Sequence, residues 1–509
     1  MYIVEALESN VLRHPLKEAL LFQNRQYTYE AFNKAVNKLA NGLVENGVDK
    51  GDKVVLMMKN SDYFAITYFA LAKIGAVIVP MNFRLLSKEI AYIVHNSDSK
   101  HIITDVEFEQ EIVKIIGSDL EIENLISVPN SMHAAFKSYN QILSEDDSNP
   151  DIEILGTDDL AILYTSGTTG HPKGAVFDHE RIKQLMYQFI ISLNYHPNER
   201  FLHFAPLFHS AQLNICLLPQ IYIGGFGVIY DNFDPKTILH DIGRYQITSM
   251  LAVPTMYNAF LQVPKENDFD FSSINKFMYG AAPMSQNVVR KCIEYFGSNN
   301  FYSLCGQTET GPAGIILYPN DHEKHAGMSG KDSTMFTQVD IVTPSGKSVK
   351  VGEIGEIIVK APSNMKEYYK NPEATHKTMK DGWIYSGDLA VRDEDGYILL
   401  VDRNKDMIIS GGENVYSIEV ENVIATHHSV AEVAIIGTPD PKWGEVVTAI
   451  IVTKRDEDLT EKEIIEFAKE NIAGYKCPKK VIFEDKLPRN ASGKLLKYQL
   501  RQKYNVIEI

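Results

Sequence analysis

Cysteine is scarce in this chain. Its four cysteines, Cys216, Cys292, Cys305 and Cys477, lie far apart and form no C-x-x-C pair. That spacing gives no sign of a zinc site or a disulfide framework and fits a reducing compartment. Positive charge is short as well: a formal net charge of −16 argues against a nucleic-acid coat and a general attraction to anionic membranes. Long apolar runs are missing. The most apolar window, Tyr63 to Pro80, carries Lys73 and Gly75 and ends in proline, which predicts a helix followed by a buried strand, not a membrane span. Met1-Tyr2-Ile3-Val4-Glu5 lacks the pattern of a signal peptide, and Val506-Ile507-Glu508-Ile509 carries no readable targeting tripeptide. A cytoplasmic protein without a transmembrane segment is expected, and no internal repeat is found.

What is present is ordinary for a soluble protein: 44% hydrophobic and 23% charged residues in a length of 509, enough for two or more domains. Thr28 has the place of an N-cap before a helix with apolar residues at Phe32, Val36, Leu39, Ala40 and Leu43, stopped by Gly47. Val54–Met57, Ala76–Val79 and His101–Ile103 read as strands, with helices at Tyr63–Lys73 and Ser87–Ser97 between them. That alternation predicts an α/β fold with parallel sheets covered on both sides. An acidic, turn-rich connector over 144–159 leads to the most informative stretch.

That stretch is Tyr164-Thr165-Ser166-Gly167-Thr168-Thr169-Gly170-His171-Pro172-Lys173-Gly174-Ala175. A loop so small-sided can turn its backbone N–H groups inward around phosphate oxygens, with hydroxyls as further donors and Lys173 as a charge. It is not a Walker loop, because the order G-x-x-x-x-G-K-[ST] is absent. Glycine and serine also cluster in plain surface turns, so the loop alone leaves that alternative open.

The full string resembles the signature of the adenylate-forming superfamily: acyl-CoA synthetases, peptide-synthetase adenylation domains and beetle luciferases. The resemblance runs through nearly the whole chain in the family's order, and it is most similar to fatty-acid or aryl acyl-CoA ligases. It implies a large N-terminal adenylation domain, 1–401, with parallel-rich sheets flanked by helices plus a small barrel-like region. A small mobile C-terminal α+β lid, 402–509, would follow a hinge at Asp402.

By the same resemblance, Thr165, Ser166, Gly167, Thr168, Thr169 and Gly170 hold phosphate with Lys173. Pro206-Leu207-Phe208-His209 matches a segment at the acyl pocket. CoA ligases carry an aromatic residue or histidine at His209, whereas amino-acid-activating members carry aspartate. Ser210, Ala211, Leu213 and Ile215, with Leu304 and Gly306, make a small and apolar pocket without a basic residue for a second carboxylate. Gly280, Ala281 and Ala282 match a segment along adenine, where small residues let a planar base lie against backbone. In Leu304-Cys305-Gly306-Gln307-Thr308-Glu309, Thr308 would touch phosphate and Glu309 would hold Mg²⁺, with Thr165 as a second metal contact. Cys305 departs from the family's usual tyrosine and offers less stacking area. Asp388 would receive the ribose hydroxyls, with a surface turn as the competing reading, and Arg403 would contact ribose or phosphate.

Gly411 and Gly412 match a loop lining the pantetheine tunnel, and Trp443 and, more weakly, Arg84 match CoA contacts. Pro488-Arg489-Asn490-Ala491-Ser492-Gly493-Lys494 matches the loop of the catalytic lysine. The last unit reads as helix Ile418–His427, strands Val433–Gly437 and Val446–Thr453, helix Thr460–Ile472 and strand Val481–Glu484.

The implied reaction uses ATP, Mg²⁺ and CoA. A carboxylate, here a medium- or long-chain fatty acid, attacks the α-phosphate; CoA then takes the acyl group from the adenylate. Lys494, Lys173 and His209 are the candidate catalytic residues. An aryl acid, or a carrier protein in place of CoA, is the alternative. A luciferase-like oxygenase and a nucleotide-binding pseudoenzyme are more distant ones. Oligomeric state is not legible.

Overall fold

The computed structural model describes every residue except 118–119, 166–171, 266–267, 411, 456, 458, 490–493 and 505–509. Local signals act as the sequence leads one to expect. Thr28 accepts the Ala31 N–H at 3.2 Å and opens the helix Tyr29–Glu45, and Gly47 follows its end at φ 83°. The apolar window becomes the buried helix Asp62–Lys73 and the buried strand Val77–Pro80. Among the described residues, no helix is long and apolar enough to cross a membrane.

Two large sheets carry the N-terminal part. The first has seven strands in the order Lys137–Ser138, Asn124–Val128, Ser99–Asp105, Lys53–Met57, Val77–Pro80, Asp159–Thr165, Lys173–Asp178. All neighbours are parallel except the last pair. The second has nine strands, with a parallel centre from Glu18–Phe22 across to Phe301–Gly306 and antiparallel edges. One core joins the sheets through helices Tyr29–Glu45, Asp62–Lys73 and His179–Ser192, drawing on Phe32, Phe69, Leu185 and Phe189. Buried on both faces, such strands read as continuous apolar runs.

A five-stranded antiparallel sheet spans 338–403. Its long strand Trp383–Arg392 pairs with Gly355–Lys360 on one side and with Met379–Lys380 and Ile398–Arg403 on the other. Ile315, Ile341, Ile357, Val359, Ala390 and Ile398 form its core.

The C-terminal α+β unit is built on the hairpin Val430–Asp440 and Gly444–Thr453. Side chains alternate between its faces. Ile435, Val447, Ala449 and Ile451 pack with Val420, Ile424 and Ile464, whereas Ala434, Ile436 and Ile450 pack with Leu487 and Leu500. Both strands outrun the expected Val433–Gly437 and Val446–Thr453, because pairing continues to the tip, where Asp440 accepts the Lys442 and Trp443 N–H groups. The preceding helix is shorter than expected, Ser417–Ile424, and the His427 and His428 rings stack beyond it at 4.6 Å. At the junction, Asp402 is 1% exposed; its carboxylate accepts the Ser417 N–H and hydroxyl and the Arg403 N–H.

Candidate active site

The candidate phosphate loop lies in sequence between two paired strands. Strands Asp159–Thr165 and Lys173–Asp178 pair antiparallel with Thr165 opposite Lys173. Thr165 Oγ1 donates to the Lys173 carbonyl at 3.4 Å, which keeps its lone pairs available. Ser166, Gly167, Thr168, Thr169 and Gly170 lie outside the described residues.

The second sheet delivers the next group. Strand Phe301–Gly306 runs into a short turn, Thr308–Thr310. The Glu309 carboxylate accepts the Tyr368 hydroxyl at 2.6 Å, and the Glu309 carbonyl accepts the Met365 N–H at 2.8 Å. Thr308 shares a 3.3 Å hydrogen bond with Ser210, next to His209. Asn214, in the single wide π-turn Gln212–Leu217, donates to the Gly311 carbonyl at 2.8 Å. The acyl-pocket segment and the Thr308–Glu309 turn are thus tied side by side.

Asp388 and Arg403 face each other across strands Trp383–Arg392 and Ile398–Arg403. Asp388 Oδ1 lies 3.0 Å from Arg403 Nε, off the N–H axis, so it is a buried acceptor without a donor. An oxygen in that state suits a hydroxyl donor, as a ribose would bring. Gln307 Nε2 is likewise buried without an acceptor, and both side chains line a cavity of about 20 Å³ together with Cys305 and Ser386. Burial pushes the Cys305 thiol up to about 11.

Gly280 has a reason unconnected with a base: a Cβ there would collide with the Leu304 carbonyl of the neighbouring strand. Ala281 turns the chain at φ 65° and is exposed, and Ala282 is half-buried.

Lys494 comes into this group from the C-terminal unit. Burial, then the Arg403 charge, pushes its ammonium down to about 8, against the opposing pull of Asp388 and Glu309. His209 is held down to about 4 by burial and by Lys494, so its imidazole is neutral at physiological pH. Its Nδ1 accepts the Ala211 N–H at 3.2 Å. The structure therefore brings Glu309, Asp388, Arg403, His209 and Lys494 into one electrostatic neighbourhood. Gly412 and Trp443 lie elsewhere, on two hairpin tips that the Ser410–Gly444 pairing sets side by side; Gly411 is outside the described residues. Trp443 is 39% exposed, with Lys479 Nζ 3.5 Å above its ring. Arg84 is exposed over the Phe83 ring.

Tyr368 is the member that motif reading missed. No spacing flags it, because it meets Glu309 from 59 residues away.

Among the described residues, no three His, Cys, Asp or Glu side chains could hold a metal on their own. Glu309 still fits Mg²⁺: one of its oxygens takes the Tyr368 hydroxyl, and Mg²⁺ commonly uses one or two protein carboxylates beside substrate phosphates.

The AMP-binding enzyme family matches residues 7–369, and the AMP-binding enzyme C-terminal domain matches 419–494. A feruloyl-CoA synthase from Amycolatopsis sp is 36% identical over 478 residues, 94% of each chain. A long-chain-fatty-acid–CoA ligase from Mycobacterium tuberculosis is 35% identical over 480 residues, covering 94% of this chain and 93% of the other. Among solved structures, o-succinylbenzoate CoA synthetase from Bacillus subtilis with ATP and magnesium superposes at TM-score 0.86 with 28% identity, over 98% of this chain and 99% of that one. The chain belongs to the AMP-binding enzyme family, as an adenylate-forming acyl- or aryl-CoA ligase.

Proposed function

We propose that the protein activates a medium- or long-chain fatty acid with ATP and transfers the acyl group to CoA. The observation that carries this reading is the meeting of Lys494, from the C-terminal unit, with Asp388, Arg403, Glu309 and His209. In the first half-reaction the substrate carboxylate attacks the α-phosphorus and pyrophosphate leaves. Asp388 would hold the ribose hydroxyls, and Arg403 would add a charge beside them. Lys173, the loop residues Thr165 to Gly170 and Thr308 would hold phosphate oxygens, and Lys494 would meet the charge that gathers at phosphorus. Mg²⁺, held by Glu309 with Thr165 nearby, would neutralise phosphate charge. No protein nucleophile is needed.

His209 would border the carboxylate as a neutral group, because a cation at about pH 4 plays no part near neutrality. In the second half-reaction the CoA sulfur attacks the acyl carbon and AMP leaves. Lys494 must then withdraw. We place the hinge at Asp402, between 1–401 and 402–509, so that turning the C-terminal unit would carry Gly411, Gly412 and Trp443 toward the thiol path.

The long-chain-fatty-acid–CoA ligase relative favours an acyl chain; Leu213 and Ile215, near His209 in sequence, are themselves packed into the hydrophobic core. The feruloyl-CoA synthase relative favours an aryl acid as the second reading. Pyrophosphate release with Mg·ATP, measured across acetate, octanoate, palmitate, benzoate, coumarate and amino acids, with and without CoA, tests both. Turnover restricted to octanoate and palmitate supports the first reading, and restriction to benzoate and coumarate replaces it with the second. Release that CoA does not accelerate would replace CoA with a carrier protein.

A further inference from the structure

The segment 363–369 is neither helix nor strand, yet it is bonded on two sides. Lys366 N–H donates to Val176 at 2.8 Å, Val176 N–H to Glu367 at 2.9 Å and Tyr369 N–H to Gly174 at 2.7 Å. These tie the segment to the strand that begins at Lys173. On its other side, Met365 N–H reaches the Glu309 carbonyl at 2.8 Å and the Ser363 hydroxyl reaches the Thr310 carbonyl at 3.0 Å. The segment therefore joins the phosphate-loop hairpin, on one sheet, to the Thr308–Glu309 turn, on the other.

Tyr368 sits at the middle of this joint, 2% exposed. Its hydroxyl donates to Glu309 Oε1 at 2.6 Å, and Lys173 Nζ stands 4.5 Å from the centre of its ring. The two contacts do different things. The hydroxyl fixes one carboxylate oxygen by a charge-assisted bond and leaves the other to turn toward a cation. The ring attracts the ammonium through its π-face, so this contact itself takes up no hydrogen-bond acceptor.

We propose that Tyr368 is a positioning residue of the adenylation step, setting the metal carboxylate Glu309 and the phosphate ligand Lys173 at a fixed separation before Mg·ATP binds. This rests on the roles given to Glu309 and Lys173 under the proposed function. Tyr368→Phe removes only the hydroxyl, whereas Tyr368→Leu removes the hydroxyl and the π-face.

The test is calorimetric binding of α,β-methylene ATP to the full-length protein, in Mg²⁺ and in EDTA, with thermal melting alongside. Tyr368→Phe is expected to weaken binding in Mg²⁺ by about tenfold, the size of a lost hydrogen bond to a charged group. Binding in EDTA should stay at the wild-type value, and the melting temperature should fall by no more than one lost hydrogen bond accounts for. Tyr368→Leu should weaken binding in EDTA as well. Glu309→Gln should lower Mg²⁺-dependent affinity, and adding Tyr368→Phe to it should cost nothing more.

Equal losses with and without Mg²⁺ in Tyr368→Phe, or a larger fall in melting temperature than that with the Mg²⁺ effect intact, would reduce Tyr368 to a packing residue and overturn the proposal. If Glu309→Gln leaves the Mg²⁺ dependence untouched, the metal assignment of Glu309 fails, and the positioning role falls with it. If Glu309→Gln responds and Tyr368→Phe does not, only the positioning role falls.

Discussion

Glu309 and Lys494 carry opposite charges toward the same place, and the chain holds them in opposite ways. Glu309 is fixed from within the N-terminal part: its carbonyl and its carboxylate are both hydrogen-bonded by the segment 363–369, which is itself bonded to the phosphate-loop strand. Lys494 is anchored to its own unit. Leu496 N–H bonds the Pro488 carbonyl, Lys497 pairs with Glu421 at 2.7 Å, and Leu487 and Leu500 are buried in that unit's core. At the active site it lies in the field of Arg403, Asp388 and Glu309, and burial disfavours its charged form. On the proposed function, the metal carboxylate is built into the N-terminal part, whereas the cation of the first half-reaction is carried by the C-terminal unit.

The largest effect should come from Lys494. Lys494→Ala should slow acyl-adenylate formation by about 10²–10³, the size of a lost preorganised charge donor. The reaction of a preformed acyl-adenylate with CoA should stay close to wild type. Assaying the two half-reactions separately checks this, and an equal loss in both would erase the contrast with Glu309.

The same contrast predicts a pH profile. Lys494 is charged below about 8 and neutral above it, so kcat/KM for adenylation should fall as pH rises through about 8. Lys494→Arg, charged at all accessible pH, should lose that limb even if its rate is lower. A limb kept unchanged in Lys494→Arg would assign it to another group.

Asp388→Asn probes the built-in side with a smaller effect. It should weaken AMP binding by about tenfold, because a charged acceptor becomes a neutral one. Calorimetry with AMP reads this directly, and unchanged affinity would move the ribose contact away from Asp388.

The fold was legible where local rules act. The Thr28 cap, the buried helix and strand from Asp62 to Pro80, and the helix Ser87–Ser97 follow from side-chain period and caps. The stretch 164–175, Glu309 in its turn and Asp388 within the strand Trp383–Arg392 stood out in the sequence through the resemblance alone. What escaped depends on contacts between distant segments. The 363–369 segment has no regular period, so nothing in its sequence announces that it bonds both Val176 and Glu309. The π-turn after His209 and the full length of the C-terminal hairpin are likewise settled by packing and pairing, which override local preference.

Cys305 stands where the resemblance leads one to expect a tyrosine, and it gives the smallest predicted effect. Its thiol touches the sheet core at Ile315 on one side and lies within the field of Asp388, Arg403 and Lys494 on the other. In Cys305→Tyr the ring must go one way or the other. The cavity beside it, about 20 Å³, is too small for a phenol, and forcing it there would overpack the sheet. The ring should therefore turn out of this cavity toward solvent, where, on the proposed function, it would stack on adenine for about 0.5–1.5 kcal/mol. ATP should bind a few-fold tighter, with the melting temperature unchanged. A lower melting temperature without tighter binding would mean that the side chain faces the core, and that the base is held by the backbone around Ala281 and Gly306 instead.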